Sequence, residues 1–143
     1  MIREKLVNGF RSGIVVPQGL IAHGRGEAFD YLLGEKTTKH AYDAEKVAVC
    51  LLLLSDKSII SINGNAAALC PKDLVTLAKV TNSRVEVNLF HKSRARTSAI
   101  ARVLRKENKA EILGLDDNSK AIMEDIASDR KYVDKNAIMI SET

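Results

Sequence analysis

Residues 3–12 place Leu6, Val7 and Phe10 at spacings of three and four, which predicts a short amphipathic helix stopped by Gly13. The β-branched run Ile14 to Val16 is closed by Pro17-Gln18-Gly19, a turn signal. Leu20-Ile21-Ala22 then leads into His23-Gly24-Arg25-Gly26, which reads as a loop, with a helix over 27–34 ended by Gly34. Thr37 or Thr38 caps a longer helix to about Leu54, with Ala41, Ala44, Val47, Ala48, Leu51 and Leu52 on its apolar face. Leu51 to Leu54 is apolar on more than one side, so its end is expected to be deeply buried.

The period changes after residue 56. Ser58 to Ile62 reads as a strand ended by Asn63-Gly64-Asn65, and Pro71 opens a helix to about Thr81. Arg84 to Phe90 is a second strand, 93–107 a helix with Ile100, Val103 and Leu104 inward, and Ala110 to Leu115 a third strand. Residues 119–127 read as one more helix and Ala137 to Ile140 as a fourth strand. Strands alternating with helices predict βαβ units. The expected class is α/β: a Rossmann-like, mostly parallel sheet with flanking helices and a helical N-terminal region. The whole chain, 1–143, reads as one α/β domain, helical over about 1–56 and βαβ over about 57–143.

Composition narrows this picture. Aromatics are 4% and Trp is absent, so the core must be built from Leu, Ile, Val and Ala. Cys50 and Cys70 lie in apolar stretches and exclude a disulfide framework or a cysteine zinc ribbon; buried reduced thiols of a cytosolic protein are expected. The longest apolar run, Val47 to Leu54, is too short to span a bilayer, which takes about 20 residues. Met1 to Lys5, with an early acid, does not read as a signal peptide. Net charge is +4, but residues 84–109 alone hold 8 basic and 2 acidic side chains, whereas 110–143 hold 4 and 8. That basic segment is either a solvated face or a place for an anion.

Three constellations could carry chemistry. In His23-Gly24-Arg25-Gly26, two glycines let the backbone bend, Arg25 offers a planar fork of donors, and a following helix start would present free N–H groups to a phosphate. The alternative is a plain turn with a surface arginine. Asn63 and Asn65, after the first strand, could hydrogen-bond a substrate carboxylate or hydroxyl, and Asn63 and Asn88, near the ends of successive strands, would face one crevice beyond the carboxyl ends of a parallel sheet; a turn role competes for Asn63 and Asn65. His91-Lys92-Ser93-Arg94-Ala95-Arg96 sets cations at a helix start, against the macrodipole, which suggests an anion between them or a solvated basic turn. Arg102, Arg105, Lys106 and Lys109 sit late in that helix, where they favour the dipole. No residues have metal-ligand spacing and no nucleophile motif occurs, so neither a metal site nor a catalytic residue is assigned.

Gly19 to Leu32, with Ala22-His23-Gly24-Arg25-Gly26-Glu27 at its centre, resembles the signature of the archaeal phosphopantothenate synthetases, the 4-phosphopantoate–β-alanine ligases. Ser61-Ile62-Asn63-Gly64-Asn65, with Ala67-Ala68-Leu69 and Pro71-Lys72, resembles the family's second block. Asn88-Leu89-Phe90, with Lys92 and Arg96, resembles the third; His91 and Arg94 depart from its pattern. The resemblance covers the chain to about Leu115. It implies a Rossmann-like fold, a homodimer, and a cytoplasmic place in coenzyme A synthesis. The implied reaction joins 4-phosphopantoate to β-alanine while ATP, with Mg2+, is split to AMP and diphosphate through an acyl adenylate. By similarity Arg3 and Arg25 contact ATP; Gly24 and Gly26 beside Arg25 are expected to take part, and Asn63, Asn65, Asn88, Lys92 and Arg96 are expected to bind the substrates. Members of the family run well past residue 143, where they carry an acidic-Gly-Asp-Arg type motif, and have a short lead before Arg3. An incomplete member is therefore expected.

Two readings compete with the ligase. A basic nucleic-acid-binding domain would use 84–109 as its face, although Phe90 is the one aromatic there and makes no stacking platform. A non-catalytic fragment of the ligase would only dimerise. The direction of Arg94 and Arg96 discriminates: convergence on Arg25 and Asn63 favours a small anion, and an open face shared with Arg102 and Arg105 favours nucleic acid.

Overall fold

The computed structural model describes residues 1–107 and 111–115, together with the backbone of 120–124 and 130–134. Helix α1 (Ile2–Arg11) forms as its spacing predicts, and Gly13 takes a left-handed φ of 73° just beyond it. Ile14 and Val15 are buried, and their N–H groups both donate to the Gly9 carbonyl at 2.9 and 3.1 Å.

Helix α2 (Pro17–Leu33) replaces the expected turn, loop and short helix with one continuous element. Pro17 is its first residue and Val16 its extended N-cap. A proline's fixed φ and missing N–H suit that position as well as they suit a turn. Gly24 and Gly26 each cost the helix about 1 kcal/mol relative to alanine, but neither breaks it. Gly34, at φ 83°, ends it as expected. Helix α3 (Lys39–Leu54) is capped by Thr38, whose side chain accepts from the Ala41 N–H at 3.2 Å.

Neither α2 nor α3 buries a single residue. The expected burial of Leu51 to Leu54 is therefore overturned: Leu53 and Leu54 are exposed, Leu54 by 82%. The reason is that no described part of this chain lies over that apolar face. Cys50, on the same helix, is exposed and Cys70 half-buried, so the expectation of two buried thiols also fails; both cysteines are free.

The βαβ region follows. Strand β1 (Ile59–Ile62) leads into a short helix that the hydrophobic pattern did not signal, α4 (Gly64–Leu69), and then α5 (Pro71–Val80). Strand β2 (Arg84–Val87) is shorter than expected; α6 (Arg94–Glu107) agrees, and β3 (Ile112–Leu113) is the middle of the predicted third strand. The three strands form a parallel sheet in the order β1-β2-β3. Register sets Ile60, Val85 and Ile112, and beside them Ile62 and Val87, on one face. Together with Leu6, Ala67, Val75, Ile100 and Leu104 these residues make the core. Ser61, Glu86 and Leu113 share the other face.

Residues 120–124 and 130–134 form an antiparallel pair, β4 (Lys120–Glu124) and β5 (Arg130–Asp134). This corrects the helix expected over 119–127. Lys, Ala, Met and Glu favour a helix weakly, and pairing with a second strand overrides that preference. The strand expected over 137–140 lies outside the described residues.

Candidate functional site

A parallel sheet ends all its strands on one side, and there the chain must turn outward and expose backbone groups. Asn63 follows β1, Asn88 follows β2, and Gly114 follows β3. The Asn88 N–H still donates to the Ile62 carbonyl at 3.1 Å, which keeps the ends of β1 and β2 level. Gly114, at φ 77°, brings β3 so close to β2 that a Cβ would collide with the Val87 carbonyl.

Arg96, in the first turn of α6, crosses this edge. Its Nε donates to the Ile14 carbonyl and its Nη1 to the His91 carbonyl, each at 2.8 Å. Its Nη2 and the Ile14 carbonyl both lie 2.5 Å from where a Cβ on Gly64 would stand. Three segments remote in sequence, at residues 14, 64 and 96, thus meet on one guanidinium. Partial burial pushes the Arg96 guanidinium down from its ordinary pKa. It makes no ion pair with a carboxylate among the described residues. A half-buried cation held only by carbonyl oxygens is under-compensated, and an anion in the crevice would complete it. Ser93 Oγ accepts from the Arg96 N–H at 3.2 Å and caps the start of α6.

The other expected residues distribute unevenly. Asn63 is exposed and its Oδ1 accepts from the Ala66 N–H at 2.9 Å, the N-cap of α4. Its Nδ2 has no partner among the described residues. Asn88 is half-buried one residue past β2. Asn65 is spent on structure: its Nδ2 donates to the Gly19 carbonyl at 2.8 Å and ties α4 to the first turn of α2. Lys92 is half-buried, whereas His91 and Arg94 are exposed.

Arg3 and Arg25 are exposed on α1 and α2. Since His23-Gly24-Arg25-Gly26 lies inside α2, the expected glycine loop with free N–H groups does not exist; those N–H groups belong to the helix ladder. A Cβ on Gly24 or Gly26 would meet nothing within 4 Å, so the chain's own packing does not demand glycine at either. His23 Nε2 is buried without a hydrogen bond among the described residues and lies 3.5 Å from Glu27 Oε1.

Sequence reasoning missed Glu86. It is 2% exposed in the middle strand, its Oε2 accepts from Ser61 Oγ at 3.0 Å, and its Cγ lies 3.2 Å from the Cβ position of Gly114. A lone acid within Val85 to Phe90 was the available signal, because a carboxylate inside an apolar strand needs partners.

A three-stranded parallel sheet flanked by helices, with cationic side chains past its strand ends, defines an α/β protein of the Rossmann-like class. The phosphopantothenate/pantothenate synthetase family matches residues 40–143, and the chain belongs to that family. It is 46% identical over 142 residues to the 4-phosphopantoate–β-alanine ligase of Methanosarcina mazei, covering 99% of this chain and 55% of that protein. Identity to the ligase of the same name from Thermococcus onnurineus is 44% over 137 residues, covering 95% of this chain and 52% of that protein. For Methanospirillum hungatei it is 53% over 104 residues, 73% of this chain and 43% of the relative. The chain spans about half the length of the curated relatives it matches.

Proposed function

We propose that the protein is an ATP-dependent ligase that joins the carboxylate of 4-phosphopantoate to the amine of β-alanine in cytoplasmic coenzyme A synthesis. The names of its relatives support the reaction. The observation that carries the reading to these residues is the Arg96 guanidinium, turned inward at the carboxyl edge without a carboxylate partner among the described residues. In such a reaction the substrate carboxylate attacks the α-phosphorus of ATP and diphosphate leaves. The amine then attacks the acyl carbon, loses a proton, and AMP leaves.

Lys92 and Arg96 hold the phosphate of phosphopantoate, helped by the N-terminus of α6, which favours negative charge. Asn88 and the Nδ2 of Asn63 orient polar groups of the substrates, and Asn65 positions α4 from behind. Arg25 and Arg3 contact ATP; the open space over Gly24 and Gly26 admits a ligand close to the helix backbone. Mg2+ accompanies the nucleotide phosphates, its usual mode. Among the described residues no three His, Cys, Asp or Glu side chains stand together to cage it. The exposed apolar side chains of α2 and α3, among them Phe29, Leu32, Val47 and Leu54, meet a second copy in a homodimer. No helix among the described residues is long and apolar enough to cross a membrane. Of the two arginines whose direction discriminates, Arg96 is held inward by its bonds to two carbonyls, which favours a small anion over nucleic acid, whereas Arg94 is exposed.

The test is AMP release from ATP. Release that requires both phosphopantoate and β-alanine is expected. Release with phosphopantoate replaced by a short oligonucleotide, or no release with both substrates present, would refute the assignment.

A further inference from the structure

Beyond its first turn, α6 carries a second basic face that the proposed reaction does not use. Thr97, Ser98, Arg102, Arg105 and Lys106 line a cavity of about 420 Å³, closed on one side by Leu115 just past β3. That volume falls in the range of small-ligand sites, about 300–1,000 Å³. Spacings of three and four put Ser98, Arg102 and Arg105 on one side of the helix. Among the described residues the lining contains three cations and no carboxylate, and none of the three forms an ion pair. A favourable helix dipole accounts for Arg105 and Lys106 in the last turn. It does not account for a concave wall that gathers them with Arg102 and two hydroxyl residues.

Thr97 gives a second indication. It is 3% exposed, and its hydroxyl has no hydrogen-bond partner among the described residues. A helical threonine commonly bonds back to the carbonyl four residues earlier; here only the Thr97 N–H does so, to Ser93 at 2.9 Å. A buried hydroxyl left without a partner destabilises the fold, and an anionic oxygen supplies an acceptor once the side chain rotates toward it.

We propose that this groove binds a small phosphorylated anion with at least two negative charges, a diphosphate or a phosphate ester. None of its lining residues belongs to the candidate substrate site. A concave wall of cations and hydroxyls favours a compact anion over a polynucleotide, which needs an extended track and stacking surfaces.

The test is calorimetric titration of the protein with inorganic diphosphate, with ADP, and with a single-stranded oligonucleotide. Diphosphate binding is expected, with one component weakened about tenfold or more in the Arg102→Gln/Arg105→Gln double variant, as for lost hydrogen bonds to a charged group. Tighter binding of diphosphate than of ADP identifies the free anion as the ligand, and the reverse order identifies the ester; both orders uphold the shared chemistry. Thr97→Val keeps the side-chain shape. It is expected to raise the thermal midpoint of the free protein and to weaken diphosphate, so it carries the test if the double variant unfolds. A parent that does not bind diphosphate, variant isotherms that superimpose on the parent's, or binding confined to the oligonucleotide each overturn the proposal. Such a failure leaves the ligase reading standing, because that reading is decided by AMP release.

Discussion

Arg96→Ala separates a structural strap from a ligand contact, because the two roles leave different traces. The substitution removes two guanidinium-to-carbonyl bonds of 2.8 Å each, one to Ile14 and one to His91. Hydrogen bonds to charged groups contribute about 1.5–3 kcal/mol each. Water reaches the carbonyl of exposed His91, and the cost of holding a half-buried cation disappears. The net loss is therefore about 2 kcal/mol, less than the two bonds taken alone. At roughly 3 °C per kcal/mol for a domain of this size, the thermal midpoint should fall by about 6 °C. Phosphopantoate affinity should fall about ten- to a hundredfold, with unphosphorylated pantoate much less affected. Scanning fluorimetry reads the first effect and calorimetry with the two ligands reads the second. Arg96→Lys should recover part of the affinity and little of the stability, since an ammonium lacks the fork that reaches two carbonyls at once. A midpoint unchanged within about 1 °C would refute the strap argument, given the expected slope. Equal weakening of phosphopantoate and pantoate would refute the phosphate contact.

Three further outcomes follow from the same geometry. Gly64→Ala should lower stability by about 1–3 kcal/mol, the cost of overpacking, because its Cβ would stand 2.5 Å from the Ile14 carbonyl and from Arg96 Nη2; a denaturant midpoint equal to the parent's contradicts this. Asn63→Ala should cost about 1 kcal/mol through loss of the α4 cap, whereas Asn63→Asp should keep the cap and lose the Nδ2 donor, so a normal melting curve with weakened substrate binding is expected for Asp. Leu53→Glu with Leu54→Glu should leave the monomer folded, since both side chains are exposed, and should shift sedimentation from dimer to monomer; an unchanged sedimentation profile removes α3 from the dimer surface.

Local pattern was sufficient for much of this molecule. The 3.6-residue spacing in α1, the Thr38 cap of α3, Pro71 at the start of α5 and the apolar stripe of α6 are short-range properties, and each element formed where its own residues dictate. The alternation of strands and helices likewise implied the parallel sheet. The asparagines and cations at strand ends were visible in the sequence because a parallel sheet sends those ends to one edge.

What the sequence by itself left open depends on partners distant in the chain. Pro17 suits a turn and a helix start equally, and only the uninterrupted ladder through Gly24 and Gly26 decided for the helix. The burial of Leu51 to Leu54 could not be read from their apolarity, because burial requires a covering surface that no neighbouring residue supplies. Residues 120–124 became a strand because 130–134 pair with them, a gain that periodicity within one segment does not register. The place of Asn65 after a strand suits a ligand contact, yet its side chain holds Gly19, 46 residues away; Arg96 is in the sequence a cation at a helix start, and in the structure the joint between residues 14, 64 and 91. Hydrogen bonds and steric contacts act over a few ångströms of space regardless of separation along the chain. Tertiary structure alone therefore decided which polar side chains serve the fold and which it leaves uncommitted.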